Sequence, residues 1–354
     1  MKYEIISLQP LPVENSSYNA ALSYLKRQDM IKIKFIEFSF FKQVLIILRG
    51  FEDKRLLIRI FTNIYNLIKL LLSKNKILII GAAPYSIIVF LLNRLKSRHR
   101  CIYYASWPYW DEKRYPERVF ILSQMEAWKR FLDGIISAGV TMSTCEGLAK
   151  YGAKSFYMPH SVDTDLFVPL SPKHYSNKVK VLYVGKLLKI KGIPRLINLI
   201  KKYQWQNIEF LVVGGGPYKK EIIEMEKEHY PVKYLGHIKN KKDLVSIYQN
   251  SDILILPSFR ENFGIVLLEA MACQLPVVST DCAGPSEIVE DGINGLLIPQ
   301  DNKEAFRDAI LKLANSPELR DKLGKNGRKK VEKMYDVKEA GDRWLELIKM
   351  VHQA

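Results

Sequence analysis

The sequence is short of cysteine and has no long uninterrupted apolar run. Its cysteines show no CxxC spacing, which excludes a disulfide scaffold and favours a reduced, cytosolic compartment. The best candidate for a membrane span, Ile77–Asn93, is broken by Gly81–Pro84 and falls short of the about 20 apolar residues that a spanning helix needs. Met1–Ile6 predicts a first strand rather than a secretory signal. The four cysteines are Cys101, Cys145, Cys273 and Cys282.

Acidic residues are too few to balance the basic ones, and the formal net charge is +17. Residues 1–160 hold 24 lysines and arginines against 12 acidic residues, a net of +12, whereas residues 161–354 hold 30 against 25, a net of +5. A basic N-terminal half indicates an anionic partner, either a membrane surface or phosphorylated substrates. The sequence has no zinc-finger spacing or RNP pattern, so we expect no nucleic-acid partner.

A narrow polar stripe marks one apolar segment of the N-terminal half. Its members recur in steps of four and three, as on one side of a helix: Arg55, Arg59, Thr62, Asn66, Lys69 and Ser73. Two interpretations stay open. The helix is either buried between a sheet and solvent, or it lies on a membrane with Lys54, Arg55, Arg59 and Lys69 near lipid phosphates.

Short apolar runs alternate with helical patterns along most of the chain, which predicts an α/β fold with parallel sheets. Met158–Lys178 is proline-containing and lacks helical periodicity, so it is the natural linker between two halves. Lys338–His352 predicts a last amphipathic helix. The strand-like runs are Ile77–Ile80, Cys101–Tyr104, Gly134–Ile136, Val179–Val184, Ile208–Val213, Asp252–Leu256, Pro276–Thr280 and Gly295–Pro299.

The chemistry-bearing motifs lie in the C-terminal half, after predicted strands. Gly185-Lys186 and Lys191-Gly192 put two cations in one strand-to-helix loop, unless these lysines are only solvated. Gly214–Pro217 does not fit GxGxxG and forms either a tight turn or a close approach to a ligand. A third loop carries Glu261, a helix begins near Gly264, and Glu269 lies just over one turn into it.

A helix start offers free N–H groups and a positive dipole end, which form an anion site without a metal. Two glutamates beside such a site are explained if they accept hydroxyls of a sugar and a ribose. The alternative is that Glu261 is solvated and that Glu269 merely sits where acidic residues are favoured.

This block resembles the family 4 retaining glycosyltransferases of the GT-B fold, whose C-terminal domain carries a Glu–seven residues–Glu pair, matched by Glu261 and Glu269. The similarity covers about residues 156–350 and includes Met158–Phe167, Pro276–Thr280, Gly284–Val289 and Gly292–Leu297. It implies two Rossmann-like domains facing each other across a cleft, with a C-terminal helix that crosses back to the N-terminal domain. The implied boundaries are an acceptor-binding domain at 1–160, a linker at 161–177, a nucleotide-sugar domain at 178–335 and the helix at 336–354.

The resemblance also implies the roles of particular residues. Glu261, Lys186 and Lys191 are the expected catalytic residues, and no metal or other cofactor is expected. Asp163-Thr164-Asp165 lies in the linker motif rather than after a strand, which argues against a metal site. The expected donor-binding residues are Gly185, Gly215, Asn262, Phe263, Gly264, Ile265, Val266 and Glu269.

The N-terminal half departs from the family pattern. Family members have a glycine-rich loop after the first strand, but Gln9–Asn19 contains no glycine, and none occurs before Gly50. A His-Asp pair near the acceptor is also missing, and an aromatic segment takes its place. That segment either stacks on an acceptor sugar or packs between the domains. The candidate acceptor-side residues are Tyr104, Ser106, Trp107 and Trp110.

The resemblance implies a metal-independent, retaining hexosyltransferase that moves a sugar from a nucleotide-sugar to a hydroxyl of a glycan or lipid-linked acceptor. We expect it in the cytoplasm, peripherally bound to the anionic cytoplasmic face of the membrane. The alternatives are a catalytically inactive GT-B scaffold and a GT-B sugar-nucleotide epimerase. The epimerase would need further acidic and histidine residues on the N-terminal side.

Overall fold

The computed structural model describes residues 3–9, 20–37, 62, 65–81, 89–106, 122–170, 178–300 and 302–353. The chain divides into two compact units, residues 1–160 with 340–354, and residues 161–339. Each unit is built on a six-stranded sheet in which every described strand pair is parallel. The fold class is therefore α/β, as the alternating pattern predicts.

The first unit has the strand order β2-β1-β3-β4-β5-β6. Its central strands are apolar because helices cover both faces, and Tyr103 packs edge to face against Trp128 and against Phe131 in its core. The strands are β1 Tyr3–Gln9, β2 Ile31–Glu37, β3 Ile77–Ile80, β4 Arg100–Ala105, β5 Ile136–Gly139 and β6 Lys154–Tyr157. The helices are α1 Ala20–Arg27, α2 over residues 65–72, α3 Val89–Lys96, α4 Leu122–Leu132 and α5 Met142–Ala149.

The second unit has the order β12-β11-β10-β7-β8-β9. Its strands are β7 Val179–Val184, β8 Ile208–Val213, β9 Val232–Gly236, β10 Ile253–Leu256, β11 Val277–Thr280 and β12 Leu296–Ile298. Its helices are α6 Ile193–Lys202, α7 Lys219–Lys227, α8 Lys241–Gln249, α9 Ile265–Ala272, α10 Pro285–Ile288, α11 Lys303–Ala314 and α12 Pro317–Met334.

The last helix, α13 (Val337–Gln353), belongs to the first unit from Ala340 onward. The ring centroid of Trp344 lies 5.6 Å from that of Tyr104. Gly341 passes Tyr24 so closely that a Cβ at position 341 would lie 3.0 Å from the tyrosine ring. The chain thus returns to its first sheet at its C-terminal end, as the resemblance implies.

Strand bounds agree with the sequence where an apolar run is unbroken, as at Val179–Val184 and Ile208–Val213. The strand expected at Gly134–Ile136 is wrong in position: it runs from Ile136 to Gly139, because Gly134 has φ +66° and turns the chain. Three strands were not expected from the sequence, because lysines and other polar residues interrupt their apolar pattern. These are β2, β6 and β9.

Candidate functional site

The second sheet reverses its strand order between β7 and β10. From β7 the chain proceeds through β8 and β9 to one edge, and from β10 through β11 and β12 to the other. Ligands of open α/β sheets bind at the carboxyl ends of strands at such a switch point. The loops that follow β7, β8 and β10 are the ones that carry Lys186, Gly215 and Glu261.

These three loops pack backbone against backbone, which only glycine allows. A Cβ on Gly214 would lie 1.8 Å from the carbonyl oxygen of Gly185, and a Cβ on Gly192 would lie 1.8 Å from that of Pro257. Gly192 also has φ +76°, a conformation that L side chains avoid. The N–H of Leu187 donates to the carbonyl of Gly215 at 2.9 Å. The glycines of the motifs therefore allow the three loops to pack closely together at the carboxyl edge of the sheet.

The start of α9 lies at this edge. Gly264 is its N-cap with φ +96°, and Ile265 and Val266 are half-buried in its first turn. Because the first N–H groups of a helix have no acceptor within the helix, they form an anion site with the dipole. Phe263 is buried with its ring 6.0 Å from that of Tyr335, and the half-buried Asn262 precedes it.

Lys191 and Glu261 form an ion pair, with 2.7 Å between Nζ and Oε2. Their side chains are 28% and 13% exposed, so the pair is shielded more than an ordinary surface pair but remains reachable. The structure thus brings together two of the three expected catalytic residues. The third, Lys186, is exposed in the loop after β7, where Tyr183 donates to its carbonyl at 3.0 Å.

Glu269 is 8% exposed, and its Oε2 accepts a hydrogen bond of 2.8 Å from the hydroxyl of Tyr248 on α8. Burial raises the pKa of Glu269 from 4.5 to about 7, while the Tyr248 hydrogen bond and the positive charge of Lys241 oppose that rise. Glu269 therefore is not a solvated first-turn residue. Tyr248 belongs to no motif in the sequence, and only its hydrogen bond to Glu269 in the folded chain identifies it.

The acceptor-side candidates are only partly described. Tyr104 is 8% exposed, and its hydroxyl lies 2.9 Å from Nδ1 of His160, so its described contacts are internal ones. Ser106 follows β4 and is half-buried. Trp107, Trp110 and most of the glycine-free first loop lie outside the described residues.

Asp163 and Asp165 have structural partners. The Oδ1 of Asp163 accepts the N–H groups of Asp165 and Leu166, both at 3.2 Å, and Asp165 pairs with Lys338 at 2.9 Å. Within the described part of the chain, no group of three or more histidine, cysteine or acidic residues is placed to hold a metal ion. Asp163 thus closes the turn that begins the second unit.

The chain is similar to known proteins in sequence and in fold. Residues 170–330 match the family described as glycosyl transferases group 1. The capsular polysaccharide biosynthesis glycosyltransferase CapM of Staphylococcus aureus is 34% identical over 159 residues, which is 43% of this chain and 41% of CapM. The chain thus matches less than half of that relative's length.

Two solved structures share the architecture of the whole chain. Sucrose-phosphate synthase from Thermosynechococcus elongatus has a TM-score of 0.75 at 17% identity, covering 99% of both chains. HepE of Anabaena in complex with UDP has a TM-score of 0.72 at 15% identity, covering 99% of this chain and 100% of HepE. At such identities the likeness concerns the fold alone. The similarity to the group 1 glycosyl transferases thus lies within the second unit and covers less than half of this chain, whereas the GT-B fold extends over both units.

Proposed function

We propose that the protein is a retaining hexosyltransferase that transfers a sugar from a nucleotide-sugar to a hydroxyl of a glycan or lipid-linked acceptor without a metal. The observation that carries this proposal is the grouping of Lys191, Glu261 and Glu269 around the start of α9 at the switch point of the second sheet. The family match and the UDP bound to HepE support a nucleotide-sugar as donor.

The reaction breaks the bond between the anomeric carbon and the diphosphate, which leaves with the electron pair. The acceptor oxygen bonds to the same face of the sugar, and its proton passes to a diphosphate oxygen. Lys186, Lys191 and the N–H groups of Gly264, Ile265 and Val266 would stabilise the leaving charge. Each well-placed donor of this kind is worth about 2–4 kcal/mol of barrier reduction.

The two glutamates have different surroundings, which supports different roles. Glu269 is buried on the helix and suits a ribose, whose adjacent hydroxyls a carboxylate accepts together. Glu261 is in the loop and paired with Lys191, so it suits the transferred sugar next to the diphosphate. Binding of the donor would place its phosphates beside this lysine.

A thermal-shift screen tests the donor site. UDP, GDP and ADP are each added with excess EDTA, and one of them should raise the melting temperature. A ligand at 100 times its dissociation constant stabilises the protein by about 2.7 kcal/mol. Stabilisation by none of the three would refute the proposed donor, and stabilisation that EDTA abolishes would refute metal independence.

We also propose that the first unit binds the cytoplasmic face of an anionic membrane. On α2 the side chains of Tyr65, Ile68 and Leu72 are 65%, 52% and 71% exposed, while Leu70 is buried. Of the described members of the polar stripe, Thr62 and Lys69 are exposed, whereas Asn66 and Ser73 are half-buried, and Asn66 accepts a hydrogen bond from Lys34. Three of the four cations expected near lipid phosphates, Lys54, Arg55 and Arg59, lie outside the described residues.

An exposed apolar face in a unit of net charge +12 suits an interfacial helix on anionic lipid, where each nearby cation contributes about 1 kcal/mol. Two cations at and after the end of α3 make contacts within the unit: Lys96 donates to the carbonyl of Arg130 at 3.2 Å, and Arg98 donates to that of Ser73 at 3.3 Å. No helix in the described ranges is both long and apolar enough to span a bilayer.

Vesicle co-sedimentation tests this membrane proposal. The wild-type chain should bind anionic but not neutral vesicles, and high salt should release it. Ile68→Glu should weaken binding, whereas Ile293→Glu, at a similarly exposed position of the second unit, should not. Binding to neutral vesicles, no binding to anionic ones, or a dimer that Ile68→Glu dissociates would each refute the membrane partner.

A further inference from the structure

Tyr248 occupies a fixed place behind the carboxylate of Glu269. Its side chain is fully buried, and its ring packs edge-on against Phe167 with 6.0 Å between ring centroids. Phe167 is held in turn by Arg328, whose guanidinium donates to the Phe167 carbonyl at 2.6 Å and to that of Ala272, the last residue of α9, at 2.6 Å. Arg328 thus connects Phe167, which packs against the ring of Tyr248, to the end of the helix that carries Glu269.

The hydrogen bond engages one carboxylate oxygen only. The Tyr248 hydroxyl donates to Oε2 of Glu269 at 2.8 Å, and within the described part of the chain no residue donates a hydrogen bond to Oε1. We infer that Tyr248 is a positioning residue for donor binding, which holds Oε2 so that Glu269 presents its other oxygen, in the ionised state, to the ribose. This inference rests on the proposed nucleotide-sugar donor.

The hydrogen bond from Tyr248 affects nucleotide binding through the ionised fraction of Glu269. Burial raises its pKa to about 7, against the opposing effects of the Tyr248 hydrogen bond and of Lys241 at the start of α8. Burial and the nearby Glu269 raise the pKa of Tyr248 well above 10, and the thiol of Cys273 adds to this, so the phenol keeps its proton and remains a donor. Near neutral pH, Glu269 is therefore about half ionised, and the ionised carboxylate is the stronger acceptor for the two hydroxyls, so we expect nucleotide binding to follow its ionised fraction.

Calorimetric titration of wild type and Tyr248→Phe tests the inference from pH 6 to pH 9. The probe is whichever of UDP, GDP and ADP binds the wild-type chain, and the ratio of the two affinities cancels the titration of the nucleotide itself. If the lost hydrogen bond changes the ionisation equilibrium about tenfold, the variant binds about fivefold more weakly at pH 7 and almost equally at pH 9. Tyr103→Phe, at a fully buried tyrosine of the first unit, should leave the ratio at one.

Two further variants distinguish a positioning role of the Tyr248 hydroxyl from a loss of packing around its ring. In Glu269→Gln, which cannot ionise, adding Tyr248→Phe should produce no pH-dependent change in affinity. Replacement of Tyr248 by 3-fluorotyrosine keeps the ring and makes the hydroxyl a stronger donor, so affinity at pH 7 should rise above wild type. This substitution also gives a result if Tyr248→Phe does not fold.

The outcomes distinguish failure of the proposed role of Tyr248 from failure of the proposed nucleotide-sugar site. An affinity ratio that stays constant from pH 6 to pH 9, or 3-fluorotyrosine binding like wild type, overturns the role of Tyr248 while leaving the donor site intact. Failure of the wild-type chain to bind any of the three nucleotides overturns both.

Discussion

Replacing Glu269 by glutamine should stabilise the protein, and increasingly so as the pH rises. The pKa of this carboxyl is about 7 in the folded chain against an ordinary value of 4.5, because the group is buried. The folded state therefore binds the proton more tightly than the unfolded state. The stability that Glu269 contributes is greatest below pH 4.5 and is lost as the pH rises through 7, where a buried charge must form. Glutamine has nearly the same shape and no such charge.

The magnitude follows from the two pKa values. Their difference corresponds to a destabilisation of about 3 kcal/mol once the carboxyl is ionised in both states. At pH 5 most of this cost is absent, and at pH 8 nearly all of it is present. The advantage of Glu269→Gln over wild type should therefore grow by about 2.5 kcal/mol between these pH values.

Urea unfolding followed by circular dichroism at pH 5 and pH 8 measures this difference. Glu224→Gln, at an exposed glutamate of α7, is the matched control and should change stability by less than about 0.5 kcal/mol at either pH. If Glu269→Gln gives the same difference at both pH values, or a smaller one at pH 8, the assignment of a buried carboxyl with a raised pKa is wrong.

Three further predictions concern the site and its loops. Glu269→Ala should weaken binding of the free nucleotide, whereas Glu261→Ala should spare it in calorimetry and slow transfer; identical behaviour would show that their roles are not divided. Transfer should continue in excess EDTA, and loss that magnesium restores would argue for a metal. Gly192→Ala should lower the melting temperature more than Gly292→Ala, because both have positive φ but only Gly192 packs against Pro257; equal shifts would mean that the loop contact is unimportant.

The sheet strands and the start of α9 could be predicted because their signals are local. Unbroken apolar runs predict buried parallel strands, and Gly264 before an apolar segment predicts a helix start. A strand order that reverses, as it does between β7 and β10, is usual for such a fold. The resemblance therefore predicts that Glu261 lies at the carboxyl edge of the sheet.

Side-chain partners could not be predicted, because they depend on packing between distant segments. Lys191 and Glu261 are 70 residues apart, and the sequence indicates one as a phosphate ligand and the other as a sugar ligand without predicting their ion pair. Tyr248 on α8 and Glu269 on α9 are 21 residues apart, and only the folded chain brings their side chains together. For the aromatic segment that includes Tyr104 the sequence leaves open acceptor stacking or packing between the domains, and it does not predict the contacts of Tyr104 with His160 and Trp344, which lie far along the chain.

The central claim, that this chain transfers a sugar from a nucleotide-sugar, is tested most directly by release of the nucleoside diphosphate. UDP-, GDP- and ADP-hexoses are incubated with the protein, an acceptor extract and EDTA, and the freed diphosphate is quantified. We predict release from one of the three donors by wild type and at least a tenfold loss in Lys191→Ala, in line with removal of one leaving-group contact. A chain that binds the nucleotide but releases none from any donor would be a binding scaffold, which would contradict the proposed function.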